Sequence, residues 1–390
     1  MNRNVWLLFT CQALMNAVMS GQTIMASLVG YRLSGTALNT LPIAIQMVAV
    51  MSASIVAGYV FGRLGRRIGF WIGCAIALCG SLTFALGVYS GSFFIYCLGA
   101  IPAGIGFGIS QHLRFAAAEV ADTQARARAI SLVLAGGVLA AIVGPEMVKR
   151  TNDLIPDYIF LATYLYLPVL PIMASVLLAF TDLPPAPPRN SMKIPFRAIV
   201  ARPNFVVAVV SSLAGYGSMN LVMASTPLQM LLCGFGVAAS ADVIRAHSVS
   251  MYAPGFVTGR LIQKFGVHQI ICVGAVLTTG CVMVNLYFAP AIPTFMVALA
   301  LLGVGWNFMF VGGTTILTTA YAPEERVRVQ ATHDFILFGS VAGTAFSSGA
   351  IQATAGWGVL NLTVLPPVVI ALVVVCWHWM ARPRLEPAQA

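Results

Sequence analysis

Two long apolar stretches flank a short basic segment in residues 41–90, whose sequence is LPIAIQMVAV MSASIVAGYV FGRLGRRIGF WIGCAIALCG SLTFALGVYS. An α-helix needs about 20 mainly apolar residues to cross the hydrocarbon core of a bilayer. Each stretch is long enough, whereas Arg63, Arg66 and Arg67 between them would be costly to place in lipid. The segment therefore predicts a hairpin of two membrane-spanning helices joined by a basic loop.

The rest of the chain has the same apolar character. Of its 390 residues, 59% are hydrophobic and 8% are charged, and the mean hydropathy is +0.89. A soluble domain carries roughly 25% charged residues. This composition excludes a soluble enzyme, a nucleic-acid-binding domain and a disordered chain, and it predicts a polytopic membrane protein in a lipid bilayer.

Twelve stretches are long enough to span the membrane, so we predict an all-α membrane protein with twelve transmembrane helices. The predicted limits are 5–30, 40–62, 70–90, 92–115, 126–149, 158–180, 203–232, 239–260, 268–289, 293–320, 328–351 and 357–380. Residues 181–202 are rich in proline and basic residues, which is typical of a linker. We therefore predict an N-terminal six-helix half at 1–180, a cytoplasmic linker at 181–202 and a C-terminal six-helix half at 203–390.

The basic residues predict the orientation of the chain. The formal net charge is +10, with 21 Lys and Arg. If both termini are cytoplasmic, all of these lie in cytoplasmic segments except Arg32, Lys149, Arg150 and Arg245. Such a bias follows the positive-inside rule and predicts a multi-pass membrane protein with both termini in the cytoplasm. The eight cysteines form no Cys-x2-Cys motif, so a disulfide framework is not expected.

The two halves resemble each other at an offset of about 200 residues, as duplicated transporters do. Within this frame, residues 58–67, GYVFGRLGRR, resemble the loop between helices 2 and 3 of the major facilitator superfamily, usually Gly-x3-Asp-Arg/Lys-x-Gly-Arg-Arg. Gly62 replaces the usual Asp. Residues 136–145 are similar to the helix 5 motif of that superfamily. The resemblance implies the major facilitator fold, and the absence of a Gly-x4-Gly-Lys-Ser/Thr motif favours secondary transport. Neither an enzyme activity nor a prosthetic group is expected.

Soft ligand atoms recur at helical spacing. Three pairs of methionines stand four residues apart, and a histidine and a methionine form a fourth pair: Met15/Met19, Met47/Met51, Met219/Met223 and His247/Met251. Residues four apart share a helix face, and these pairs fall at matching positions in the two halves. Thioether and imidazole ligands favour Cu(I) over hard cations, whereas packing of flexible methionines is the alternative that the pattern leaves open.

The pairs on helices 7 and 8 look like the paired motifs of CcoA-type copper importers, a bacterial branch of the superfamily. This resemblance implies copper import into the cytoplasm across the bacterial inner membrane, with Met219, Met223, His247 and Met251 as ligands and Cys233 as an accessory thiol. It also implies support of cbb3-type cytochrome oxidase assembly and a copper chaperone as partner, on either side of the membrane. Copper is here the transported ion. Relatives in this branch that carry riboflavin or unknown solutes lack both motifs.

A second group of candidates concerns gating or coupling to an ion. Asp334, preceded by His333, is expected about eight residues inside span 11, where a carboxylate is by default a functional residue. The alternative is a structural ion pair with Arg326 or Arg328. Arg63 in the basic loop is the third candidate for gating.

Two other functions remain open. An organic-solute permease for a vitamin or drug would use polar residues of spans 1, 4, 7 and 10, namely Gln22, His112, Asn220, Trp306 and Asn307. A copper sensor or assembly factor would bind metal without flux.

Overall fold

The computed structural model describes residues 2–34, 41–183 and 196–381. Their regular structure is helical. The helices are α1 (Arg3–Ser34), α2 and α3 (within Leu41–Tyr89), α4 (Phe93–Val120), α5 (Thr123–Thr151), α6 (Leu161–Ala179), α7 (Pro203–Leu232), α8 (Val237–Tyr252 and Gly255–Phe265), α9 (Val267–Tyr287), α10 (Ile292–Leu317), and α11 and α12 (within Arg326–Ala381). A short helix, Phe196–Val200, precedes α7.

The predicted fold, with twelve membrane-crossing helices, is confirmed. Eight helical stretches of the described residues are long and apolar enough to cross a membrane. Two of them, Leu41–Tyr89 and Arg326–Ala381, are hairpins that contain two crossings each. Helices α1 and α8 carry more polar residues and complete the set of twelve.

Both hairpins turn at a glycine. Gly65 separates α2 from α3 with φ 81° and ψ 174°, and Gly356 separates α11 from α12 with φ 81° and ψ 175°. This combination of angles is essentially restricted to glycine. The first turn joins the second and third helices of the chain, and the second turn joins its last two helices.

The prolines of α7 and α8 have different effects. Pro227 lies inside the continuous helix Pro203–Leu232, whereas α8 is interrupted between Tyr252 and Gly255, around Pro254. A proline removes one backbone hydrogen bond and clashes with the preceding turn. The interruption of α8 at Pro254 is the effect expected of a proline inside a helix.

The chain divides into two compact units. Unit 1 consists of Met1–Lys193, Tyr252–Gly259 and Tyr321–Gly343, and unit 2 of Ile194–Met251, Arg260–Ala320 and Thr344–Ala390. Unit 1 therefore contains α1–α6 together with one end of α8 and one end of α11. Most of the predicted linker at 181–202 lies outside the described residues, and the predicted limits of the halves stay a prediction.

Small residues bring helices of unit 1 together. A Cβ atom at Gly80 of α3 would lie 2.5 Å from the backbone nitrogen of Ala103 in α4, and one at Gly106 would lie 2.6 Å from that of Ala77. Close backbone approach through small residues is the usual way in which helices associate in lipid. This packing fixes α4, which carries ionisable residues of the candidate site.

Candidate functional site

Helix α7 in unit 2 carries a half-buried line of residues that are candidates for contact with the cargo. Tyr216, Asn220 and Met223 are each partly exposed, whereas the residues between them are buried. Their spacing of four and three residues places them on one face of the helix. Met219 lies beside this line and is 7% exposed. Of the predicted methionine pair, Met223 is therefore the more accessible.

Helix α8 holds His247 in a single orientation. The imidazole Nδ1 donates a hydrogen bond to the carbonyl oxygen of Leu299, at 2.8 Å, which leaves Nε2 as the unprotonated nitrogen. His247 is 1% exposed, and Nε2 is buried with no hydrogen-bond partner among the described residues. A histidine oriented through one nitrogen and open at the other is the usual arrangement of a metal-ligating imidazole.

Close contact between α8 and α10 fixes the end of the predicted His247/Met251 pair. Asn307 Nδ2 donates to the carbonyl oxygen of Met251 at 2.9 Å. A Cβ atom at Gly303 would lie 2.9 Å from Met251 N and 3.0 Å from His247 O, so only a glycine permits this approach. Met251 is 8% exposed. Among the described residues, no hydrogen bond joins His247 to Met219 or Met223.

Cys233 lies at a different depth from the methionine pair. It follows the last residue of α7, is half-buried, and accepts a hydrogen bond at Sγ from Gln229 Nε2 at 3.3 Å. Ten residues separate it from Met223, a distance of about 15 Å along a helix axis. Metal–sulfur bonds are about 2.3 Å long, so Cys233 does not share an ion with Met223.

Within the described part of the chain, no three His, Cys, Asp or Glu residues come close enough to hold a metal ion. A soft-metal site in unit 2 therefore depends on the thioethers together with His247.

Aromatic rings pack against the α7 line in unit 2. The rings of Trp306 and Phe310 of α10 stack at 5.2 Å, and Tyr216 meets them edge-on at 5.5 and 5.4 Å. Asn220 Nδ2 donates to Thr344 Oγ1 at 3.1 Å. The surface at Tyr216 and Asn220 thus offers an aromatic face and an amide, which together suit a polar aromatic solute.

Unit 1 buries Asp334 among three basic groups. Its Oδ1 accepts hydrogen bonds from Arg114 Nη2 at 2.5 Å and from His333 Nδ1 at 2.8 Å, and its Oδ2 lies 3.7 Å from His112 Nε2. All four side chains are at most 1% exposed. The pairing expected with Arg326 or Arg328 is wrong, because the Asp334 position of α11 faces α4, and Arg326 lies 3.8 Å from Glu119 instead.

The basic loop uses a residue other than Arg63. Arg63 is exposed and its guanidinium lies over the ring of Tyr59, 4.3 Å from the centroid. Arg66 is 2% exposed and forms a bidentate pair with Glu119, with Nη2–Oε1 2.6 Å and Nε–Oε2 3.3 Å. Gln330 of α11 accepts a further hydrogen bond from Arg66.

Tyr321 completes this network in the loop before α11. Its hydroxyl accepts a hydrogen bond from Gln330 Nε2 at 2.7 Å. Burial and then the nearby Glu119 carboxylate raise the pKa of Tyr321 to about 12, so the phenol stays protonated at neutral pH.

Among the residues proposed for an organic solute, Gln22 is engaged within unit 1. Its Nε2 donates to Ser81 Oγ at 3.1 Å, and its Oε1 accepts from Gln46 Nε2 at 2.9 Å. Gln22 is 2% exposed. The amide therefore joins α1 to α2 and α3, which favours a packing role.

Comparison with known proteins identifies the family. The riboflavin transporter RfnT of Brucella anthropi is 34% identical over 394 residues, which cover 100% of this chain and 98% of the relative. The uncharacterized MFS-type transporter YddS of Bacillus subtilis is 27% identical over 84% of this chain and 79% of its own length. This chain belongs to the major facilitator superfamily.

Solved structures agree with that assignment at the level of the fold. The major facilitator transporter FucP in the outward conformation superposes with a TM-score of 0.78 at 12% identity, covering 96% of this chain and 98% of FucP. The proton:xylose symporter XylE gives a TM-score of 0.76 at 15% identity, over 97% and 95% of the two chains. No family model matches the chain.

The comparisons confirm the superfamily and leave the copper-importer branch a prediction. This major facilitator protein is a secondary transporter, and its relatives are transporters rather than enzymes.

The sequence analysis did not predict the network of Arg66, Glu119 and Gln330. One signal was available: Glu119 is an acidic residue at the end of an apolar stretch, and such a residue commonly has a basic partner.

Proposed function

We propose that this major facilitator protein carries a riboflavin-like solute, a flat and polar aromatic molecule, across the membrane. The observation that carries the proposal is the 34% identity to the riboflavin transporter RfnT across essentially the whole of both chains. Likeness that extends over all twelve helices includes the helices that contact the cargo in transporters of this architecture.

The line on α7 supports this class of cargo. Tyr216 has a partly exposed ring that suits stacking against a fused aromatic system, and Asn220, whose amide donates to Thr344, adds a polar side chain on the same partly exposed face. Apolar pockets with a few placed polar groups are typical of small-molecule sites. Under this proposal, Met223 supplies adaptable apolar surface to the same solute.

Riboflavin counterflow in proteoliposomes tests the proposal. Liposomes that contain the purified protein and are loaded with unlabelled riboflavin should take up labelled riboflavin faster than protein-free liposomes. Asn220→Ala and Tyr216→Ala should each slow this exchange. The matched control is Tyr287→Ala at the end of α9, where the side chain is 78% exposed. Wild-type liposomes that exchange riboflavin no faster than empty ones would exclude this cargo.

Copper import is the second candidate, and the orientation of His247 favours it. The unprotonated Nε2 is buried with no hydrogen-bond partner among the described residues, and the thioethers of Met219, Met223 and Met251 lie on α7 and α8. Met219, Met223, His247 and Met251 would bind Cu(I) as cargo, since soft sulfur and imidazole ligands select that ion. A copper chaperone as partner and support of cbb3-type oxidase assembly belong to this candidate.

Copper accumulation at equal membrane abundance tests the second candidate. Cells that produce the wild type should accumulate copper, and Met219→Ala/Met223→Ala should abolish the gain. Met283→Ala in α9, 38% exposed, is the matched methionine control. Binding of copper without flux in proteoliposomes would favour a sensor or assembly factor.

We also propose that the protein lies in the bacterial inner membrane with both termini in the cytoplasm. The distribution of Lys and Arg supports this orientation. A reporter that is active only in the cytoplasm should be active when it is fused to either terminus. Activity of a reporter that works only in the periplasm, at either terminus, would contradict the orientation.

A further inference from the structure

Three sulfur atoms meet in unit 1, and neither cargo proposal uses them. Cys11 and Met15 stand four residues apart on α1, a spacing that places them on one helix face. Cys74 lies on α3, and its Sγ is 4.0 Å from Met15 Sδ. The three side chains are 0%, 2% and 5% exposed, respectively. Two thiols and one thioether are thus buried side by side between α1 and α3.

The three sulfur side chains line a small cavity. Its volume is about 10 Å³, and its walls come from α1, α3, α4 and α6. That is close to the least space that holds one water molecule, and a buried water needs about two to four polar partners. Among the other described residues of the lining, the only polar side chain is Ser110, whose hydroxyl already donates to the carbonyl oxygen of Phe107. The cavity therefore suits one soft ion better than a water molecule.

The separation of the two nearest sulfurs fits a shared ion. Metal–sulfur bonds are about 2.3 Å long, so two sulfur ligands at about 120° around one ion lie about 4.0 Å apart. Cys74 Sγ and Met15 Sδ have this spacing, and Cys11 lines the same cavity. The same distance is ordinary van der Waals contact, so the cavity and the ligand chemistry carry the argument together with it.

The chemistry of the ligands selects the ion. Thiolate and thioether ligands favour Cu(I), whereas structural zinc sites almost always have four ligands. This cavity presents three sulfurs, and no charged side chain lies among its described lining residues. We propose that Cys11, Met15 and Cys74 bind one Cu(I) ion between α1 and α3. The ion is a resident of unit 1, and the proposal holds whichever cargo the protein carries.

Binding exchanges one proton for the ion. The Cys74 thiol is placed to donate towards Met15 Sδ, and the Cys11 thiol donates to the carbonyl oxygen of Ala174 at 3.6 Å. Cu(I) takes the place of the Cys74 proton: a copper–sulfur bond forms, the sulfur–hydrogen bond breaks, and the proton leaves to water. Cys11 and Met15 coordinate as neutral ligands, and no group is oxidised or reduced. One thiolate balances the single charge of the ion, so the loaded site is neutral, as an apolar setting requires.

The bound ion adds a link between two helices of unit 1. Met15 and Cys74 are 59 residues apart in the chain, so only the folded protein brings the three sulfurs together. A ligand that binds the folded state and not the unfolded state stabilises the folded state. Cu(I) should therefore raise the melting temperature of the protein through this site.

Counting the bound copper tests the proposal. The full-length protein is purified in detergent under anaerobic, reducing conditions and competes with a chromophoric chelator for Cu(I). Met219→Ala/Met223→Ala serves as the parent, which removes the methionine pair of the second cargo candidate. The variant that adds Cys11→Ala/Cys74→Ala to this parent should bind one Cu(I) ion fewer. Equal numbers of bound ions in the two proteins would overturn the proposal.

A matched control removes two buried thiols elsewhere. Cys97 is 8% exposed and Cys281 is 0% exposed, and neither lines this cavity. Cys97→Ala/Cys281→Ala in the same parent should keep the ion and its effect on the melting temperature. Loss of the ion in this control as well would show that any buried thiol pair has the same effect, and the proposal would be wrong.

Met15→Leu tests the site with both thiols in place. Leucine conserves the volume of methionine, so the variant should fold. It should bind the ion at least about tenfold more weakly, since loss of even an outer-shell partner costs about 10–100-fold in metal affinity. Met25→Leu, which changes another buried methionine of α1, is the control and should bind as the parent does. Parent-like affinity in Met15→Leu would exclude the three-sulfur site.

X-ray absorption at the copper edge identifies the ligands directly. The parent loaded with one equivalent of Cu(I) should show about three sulfur neighbours at about 2.3 Å and no nitrogen neighbour. A nitrogen neighbour would place the ion at a histidine and would overturn the proposal. Because these measurements detect binding and not flux, their outcome is separate from that of either cargo proposal.

Discussion

Arg63 and Arg66 stand three residues apart in one basic loop, yet their environments differ. Arg63 remains exposed beside Tyr59, whereas Arg66 enters the protein and pairs with Glu119. The usual acid of this loop is absent at Gly62, where a Cβ atom would meet nothing within 4 Å. Glu119 of α4 supplies the negative charge that holds the loop in this chain.

Arg66→Ala should destabilise the protein far more than Arg63→Ala. Removing one partner of a buried pair costs about 3–5 kcal/mol, because the other charge is left unpaired, whereas an exposed arginine contributes little. Thermal unfolding of the detergent-purified protein measures the difference. Equal melting temperatures for the two variants would show that the Arg66–Glu119 pair does not stabilise unit 1.

At the scale of the element, the hairpin turns and the contact between α8 and α10 depend on glycine for different reasons. Gly356 has a positive φ, and nothing lies within 4 Å of a Cβ atom added there. Gly303, in contrast, is helical but lies against the backbone of α8.

Gly356→Ala should lower stability through the backbone alone. A non-glycine residue held at φ 81° and ψ 175° costs on the order of 1–3 kcal/mol. Gly62→Ala is the matched control, since Gly62 is helical and equally uncrowded, and alanine there should be neutral or stabilising. Comparison of the two melting temperatures checks this, and a Gly356→Ala protein as stable as Gly62→Ala would contradict the strained turn.

Gly303→Ala should impair transport by moving His247 and Met251. Its new methyl group would lie 2.9–3.0 Å from backbone atoms of both residues, so α8 must shift away from α10. Gly343→Ala on α11, with nothing within 4 Å, is the control. Cargo flux per molecule in proteoliposomes should fall for the first variant only. Normal flux in Gly303→Ala would show that this contact does not position the site.

At the scale of the whole molecule, apolar length alone predicted the twelve helices, because lipid requires about 20 apolar residues per crossing whatever their partners. Partners across the chain were harder to predict. Asp334 meets Arg114, 220 residues away, and local sequence offers only the nearer Arg326 and Arg328. The line through Tyr216 and Asn220 was predicted in part, since Asn220 was chosen for its polarity but Tyr216 was not.

The identity of the cargo is a property of the whole transporter, and metal addition and removal distinguish the two proposals. If riboflavin is the cargo, its counterflow should be the same with added Cu(I), with a membrane-permeant Cu(I) chelator and with neither, because flavin exchange then needs no metal. Protein-free liposomes under the same three conditions control for leakage. Inhibition of riboflavin exchange by Cu(I), relieved by the chelator and lost in Met219→Ala/Met223→Ala, would instead mean that ion and flavin compete for the face of α7 that carries Met223. In that case the thioethers of α7 belong to the cargo site, and the protein exchanges riboflavin through a site that also binds Cu(I).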